Sequence, residues 1–137
     1  MIRCISLHEP WATLVTLGEK KIETRGWSTD YRGRLAIHAA KTTKHLDEMH
    51  NAPFFVALTC HGITRPSQLP FGTLLCIVEL DWIQPTEIIR GKLSEKELAF
   101  GDYSDGRFAW GLRLTRVFDQ PIPMKGHQRF WNWDEKI

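Results

Sequence analysis

The sequence predicts a mainly-β member of the α+β class: a small curved sheet or open barrel of five or so strands, decorated by helices. Three observations lead there. Strand-like runs recur along most of the chain, around residues 3–7, 20–27, 34–40, 73–83 and 106–118. Helical stretches are inserted early and mid-chain only, without the regular strand and helix alternation of a parallel doubly wound sheet. No internal repeat, linker or low-complexity segment divides the chain, so residues 1–137 are expected to form one domain.

The elements follow in order. RCISL, residues 3–7, reads as a short strand. HEPWATLVTLG follows as a helix, with Pro10 in the first turn, where no N–H donor is needed, and Gly18 just past the end. Trp11, Leu14, Val15 and Leu17 mark its apolar side. From Lys20 the period changes to two, and KKIETRGW reads as a strand ending at Gly26 or Trp27. STDYRG is turn chemistry, and RLAIHAA is a further strand. TTKHLDEMH spells a helix, interrupted around Pro53 and resumed in FFVALTCHG, and RPSQLPFG is a loop. TLLCIVELDWI is apolar enough for a strand buried on both faces. QPTEIIRGKLSEKELAFGDY is a polar excursion with short helical pieces, the clearest over 94–100, where Ser94 and Glu97 have capping-box spacing. GRFAWGLRLTRVF alternates like a half-exposed strand. The tail is proline-rich and then aromatic, and its tryptophans are expected to fold back onto the body.

Bulk properties narrow the function. At 137 residues, with 42% hydrophobic and 25% charged, the chain can bury roughly two thirds of its unfolded surface and needs no staples. Cys4, Cys60 and Cys76 are odd in number and lack C-x-x-C spacing, which argues for free buried thiols in a reducing cell. No cleavable apolar leader and no run of about twenty apolar residues occurs, so a cytoplasmic location without a membrane is expected. His45 and His50 are five apart, wrong for two ligands on one helical face, and no H-E-x-x-H occurs; neither a metal nor another cofactor is expected. Net charge is only +2, yet Lys20, Lys21, Arg25, Arg32, Arg34, Lys41 and Lys44 fall in one 25-residue window, which permits a local basic surface.

Gly18, Lys20, Glu23 and Arg25 have the spacing G-x-K-x-x-E-x-R directly after the first helix. This resembles the signature of the ASCH family, whose fold is similar to the RNA-binding PUA domain. ISLHEPWATLV, IETRGW, YRGRLAIHAA, AFGDYSDGRFAWGL, QPIPMKG and FWNW resemble further blocks of one ASCH subgroup, in order and over most of the chain. The resemblance implies an open pseudo-barrel of five to six strands. It also implies a cleft where strand one, the following helix and the motif strand meet, and RNA, a nucleotide or a modified nucleoside as its ligand.

Within that expectation each residue is weighed on its chemistry. In a regular strand Lys21, Glu23, Arg25 and Trp27 share one face and Lys20, Ile22 and Thr24 the other, so Lys20 and Glu23 meet only if the chain bends near Gly18. Glu23 and Arg25 could pair as a base reader and a phosphate fork, against the bland reading of a solvated ion pair. Ser6, His8, Pro10 and Trp11 would line the opposite wall, although Pro10 and Trp11 also suit a helix start and a core anchor. His38, between small residues, is either a structural histidine or a ligand contact. Glu79 is a carboxylate in an apolar strand and calls for a cationic partner, Lys20 or an arginine. Trp27, Tyr103 and Trp110 are candidates for base stacking or for core.

Two function classes compete, with a third behind them. A binding module would take single-stranded RNA or a nucleotide in the cleft and lose affinity steeply with salt. A hydrolase would resemble the small bacterial ASCH proteins that deacetylate N4-acetylcytidine with a lysine, a threonine and a glutamate. Lys20 and Glu79 hold positions similar to the first and last of these, while Glu23 stands where the threonine is expected. Ribonuclease activity, attributed to some relatives, could use Lys20 and Glu23 as well. The third class is a protein-interaction module, since relatives occur inside transcriptional coactivators. A monomer or weak dimer is expected.

Overall fold

The computed structural model describes residues 1–135. Six strands form one mixed sheet: β1 (Ile2–Leu7), β2 (Ile22–Arg25), β3 (Gly33–Ala39), β4 (Thr73–Pro85), β5 (Phe108–Pro123) and β6 (Trp131–Trp133). The spatial order is β2-β5-β4-β3-β1-β6, with β1 and β3 parallel and every other pair antiparallel. Register shifts interrupt the β3–β4 ladder between Ile37 and His38 and the β4–β5 ladder at three places, and such bulges bend a sheet. The result is the open, helix-decorated barrel that the sequence predicts, with its ends unjoined by strand pairing.

The helices are short: α1 (Trp11–Thr16), α2 (Ala52–Thr59), α3 (Thr86–Ile89) and α4 (Glu95–Ala99). α1 sends Ala12 and Val15 into the main core with Ile5, Leu7, Leu35, Ile37, Val78 and Leu80, and Leu14 into a second core with Phe54, Leu58 and Phe100. One element thus welds the sheet to α2. A third core, Ile2, Cys4, Ala36, Leu74, Ile77 and Phe118, fills the other side of β1 and β3 under Trp131 and Trp133. Among the described residues no helix is long and apolar enough to cross a membrane.

Several boundaries differ from the sequence reading, each for a local reason. The backbone N–H groups of Glu19 and Lys20 both donate to the Leu14 carbonyl, at 3.0 and 3.1 Å, which keeps these residues at the helix end and delays the strand to Ile22. The single helix expected from residue 42 is a 3₁₀ turn, Leu46–His50, followed by α2. Asn51 is extended between them, and Pro53 sits in the first turn of α2, where its missing N–H costs nothing. Ser94 accepts from the Glu97 N–H at 3.1 Å, but Glu97 turns away to accept from the Lys21 N–H, so only half of the capping box forms. The proline-rich start of the tail belongs to β5, which pairs with β2 only from Phe108 to Gly111; Pro121 and Pro123 lie beyond, on its bare edge. Cys4 and Cys76 are buried, and burial pushes their thiols up to about 12 and about 11, while Cys60 is exposed, contrary to expectation.

Candidate functional site

β6 pairs with Ile2, Arg3 and Cys4 only, so the second half of β1 has no strand on that side. β2 lies at the other end of the strand order, yet the sheet curls until Arg25 Nη2 donates to the Ser6 carbonyl at 2.8 Å. A side chain thus bridges the seam that backbone pairing leaves open. A cleft of about 590 Å³ opens along this seam. Ser6, His8 and Trp11 form one wall; Glu23, Thr24, Arg25 and Trp27 form the floor. Phe100, Gly101, Asp102 and Arg107, and His45, Glu48 and Phe54, complete the lining, with Phe54 edge-on to Phe100 at 5.0 Å.

The charged run at the start of β2 is a layered assembly. Lys20 is wholly buried beneath the cleft, its ammonium donating to the carbonyls of Ile22 and, at 3.0 Å, Phe100. It also lies 3.6 Å from Glu23 Oε1, while Glu23 Oε2 forms an ion pair with Arg25 Nη2 at 3.0 Å. Lys20 and Glu23 therefore meet, because Lys20 precedes the strand and is free of its alternation. Burial lowers the Lys20 pKa, against the opposing pull of Glu23 and Glu97. Glu23 and Arg25 keep 14% and 23% of their side chains exposed, which makes them the charged groups on the cleft floor. The Arg25 Nε is buried without a partner among the described residues.

A second arginine and acid pair braces this lining. Arg107 donates Nε to the Asp102 carbonyl at 3.0 Å and Nη2 to the Thr24 carbonyl at 3.2 Å, with its Nε 3.5 Å from Asp102 Oδ2. Asp102 in turn donates its N–H to Thr24 Oγ1 at 3.1 Å. Gly101 has no room for a side chain, since an added Cβ would lie 2.8 Å from Tyr103 and 3.1 Å from Thr24.

The other candidate residues separate into cleft and core. Trp27 lies half-buried at the cleft, edge-on to Trp110 at 4.8 Å, with the Arg129 guanidinium 4.7 Å from its ring centre. Trp110 is 1% exposed and Tyr103 is buried with Ile22 and Ala109, which leaves neither a face for a ligand. Pro10 is buried as the cap residue of α1, whereas Trp11 packs edge-on to Phe54 and His45 and lines the cleft. His8 stacks on His45 at 4.9 Å, and partial burial, then His45 and Arg25, lower its pKa. His38 is buried outside the cleft. Its Nε2 donates to the Met124 carbonyl at 2.7 Å, and since a carbonyl can only accept, its Nδ1 accepts from the Ser6 hydroxyl at 2.9 Å.

Glu79 does not join the cleft either. Its register partners Arg34 and Arg113 bind Glu135 at 2.8 Å and Asp81 at 2.9 Å instead, and Glu79 Oε2 has no hydrogen bond among the described residues. The expected Lys20 or arginine partner is not found, because β5 stands between Glu79 and the strand that Lys20 serves. His45, Glu48, Phe54, Asp102 and Arg107 line the cleft without having been singled out. They come from segments 22 to 84 residues away from Glu23, and only the tertiary fold brings them together.

Comparison with known proteins agrees with the architecture. The sequence profile of the ASCH domain matches residues 5–122. Activating signal cointegrator 1 of Homo sapiens and of Mus musculus are each 29% identical over 136 residues, or 98% of this chain. The chain spans only 22% of the length of these relatives. The crystal structure of ASCH from Zymomonas mobilis superposes with a TM-score of 0.52 at 18% identity, covering 88% of this chain and 72% of the other. A mutant of that protein gives 0.51 at 20% identity, covering 89% and 73%.

Proposed function

The chain belongs to the ASCH domain family, and from that premise we propose that it binds single-stranded RNA or a nucleotide in the cleft along the open seam. The observation that carries this reading is the Glu23 and Arg25 pair on the cleft floor. An acceptor and a forked donor, ion-paired with each other and part-exposed, can exchange that pairing for the edge of a base. The cleft is within the usual range for a small-molecule site, and Trp11, Phe54 and Trp27 supply apolar surface beside the charges. Arg107, which also lines the cleft, adds a cation that would suit a phosphate. An enzymatic reading has less support, since Glu79 lies outside the cleft and Lys20 beneath it.

Fluorescence anisotropy of a labelled oligoribonucleotide at two salt concentrations tests this. Wild type is expected to bind, more weakly at the higher salt, and Arg25→Ala to bind at least about tenfold less tightly, because a neutral side chain cannot replace the fork. Arg25→Lys should recover only part, since a point-like ammonium keeps the charge but lacks the planar fork that pairs bidentately. No RNA binding by wild type, or equal binding by Arg25→Ala, would overturn the reading; conversion of N4-acetylcytidine to cytidine would replace it with the hydrolase.

A further inference from the structure

A second hollow, of about 470 Å³, lies on the far side of Ser6 from the cleft. Ser6 lines both, so the two adjoin at that residue. Its walls carry Lys41, Lys125 and His127 and no carboxylate. The contrast with the cleft matters: Arg25 and Arg107 have acidic partners, whereas among the described residues neither Lys41 nor Lys125 takes part in an ion pair. Positive charge is thus concentrated here without internal compensation.

The hollow is also built rather than incidental. The Lys41 stem lies on the backbone of Gly72, where an added Cβ would be 3.0 Å from its Cε and 3.1 Å from its Cγ, so the ammonium is carried outward by an anchored stem. Gly126 packs on the Ser6 and His38 side chains; an added Cβ there would lie 2.6 Å from Ser6 Oγ and 2.7 Å from the His38 ring. This brings the Lys125 to His127 backbone down beside the cleft wall. Arg32 and Arg34, two further cations of the basic window, flank the opposite end of β3, and Arg34 is bound to Glu135. They do not share this surface.

We propose that this hollow is a phosphate site, with Lys41, Lys125 and His127 holding the sugar-phosphate backbone of a single strand whose base occupies the cleft. The proposal rests on the cleft reading above. A strand leaving the cleft past Ser6 would pass from paired to unpaired cations, and unpaired lysines bind phosphate by charge without reading sequence. Affinity for a strand should therefore exceed that for a nucleoside monophosphate, which fills the cleft alone.

The test uses the full chain and two probes, a labelled octaribonucleotide and a nucleoside 5′-monophosphate. In Lys41→Glu/Lys125→Glu the octamer is expected to bind at least tenfold less tightly, with the slope of log affinity against log salt reduced by about 1.4, for two lost phosphate contacts. The monophosphate should bind within twofold of wild type. Lys41→Gln/Lys125→Gln, which removes charge without reversing it at exposed positions, should give a smaller loss of the same kind. An unchanged octamer affinity overturns the proposal, and so does equal weakening of both probes, which would signify a diffuse field or a monophosphate site. If Arg25→Ala weakens octamer binding while the lysine variants do not, the phosphate path fails and the cleft reading stands. A wild type that binds neither probe ends both.

Discussion

Lys20→Met is expected to lower folding stability by about 3 kcal/mol, read as a lower urea midpoint with an unchanged slope. Methionine keeps the apolar stem, so packing volume is conserved and the loss isolates the ammonium. That ammonium satisfies the carbonyls of Ile22 and Phe100 and lies beside Glu23. Two buried acceptors deprived of a donor cost about 1 kcal/mol or more each, and a largely buried carboxylate loses one of its two cations. The second consequence is local. Phe100 opens a segment of the cleft's lining, and Lys20 ties this segment to β2, so ligand affinity should fall with stability although Lys20 does not line the cleft. Lys20→Arg should not restore either quantity, because a bulkier planar guanidinium does not match a site whose amine is held by two carbonyls and Glu23. A Lys20→Met protein with the wild-type urea midpoint would show that this amine does not hold the segment.

The different fates of the motif residues show what a sequence can and cannot carry here. Alternation places Ile22 and Thr24 on the buried face and Glu23 and Arg25 on the half-exposed one, as observed, because β2 is a regular strand; Thr24 still touches the cleft floor. Lys20 escaped that logic: the Leu14 carbonyl holds its N–H at the end of α1, and no periodicity encodes where a helix releases the chain. Strand content was legible from the long apolar run of β4 and the alternation of β5, which depend on their own composition. The pairing of Trp131–Trp133 with β1, which makes the tail a strand and leaves the seam bare beside Ser6, depends on residues more than a hundred positions apart. For the same reason His45 and Arg107 carried no local signal of a shared site. Trp110 illustrates the converse: an aromatic residue has one composition and two fates, and only its place on β5, under Trp27 and Phe130, makes it core.

Glu9→Gln is expected to stabilise the protein by about 3 kcal/mol at pH 8 and to change it little at pH 4.5. Glu9 is fully buried at the start of α1, where its carboxyl accepts from the Thr13 N–H at 2.8 Å and bonds the Thr13 hydroxyl at 2.6 Å. Burial pushes its pKa from 4.5 up to about 7, the two Thr13 contacts opposing the rise only in part. The sign follows from proton counting. Below 4.5 the folded and unfolded chains both hold the proton, and between 4.5 and 7 the unfolded chain releases it while the folded chain retains it. Stability therefore falls as pH rises through that window, and the whole deficit is present above it. A glutamine presents a carbonyl acceptor and a donating group, as the protonated acid does, with one N–H more, so it stays neutral like the low-pH state of Glu9 at every pH. Urea unfolding of both proteins from pH 4.5 to 8 gives the difference curve directly and cancels every other titrating group. Divergence centred between the two pKa values would establish an unpaired buried acid one residue from His8, at the rim of the cleft. Parallel curves would mean that Glu9 ionises at its ordinary value, and that water or a cation reaches a carboxylate the fold encloses.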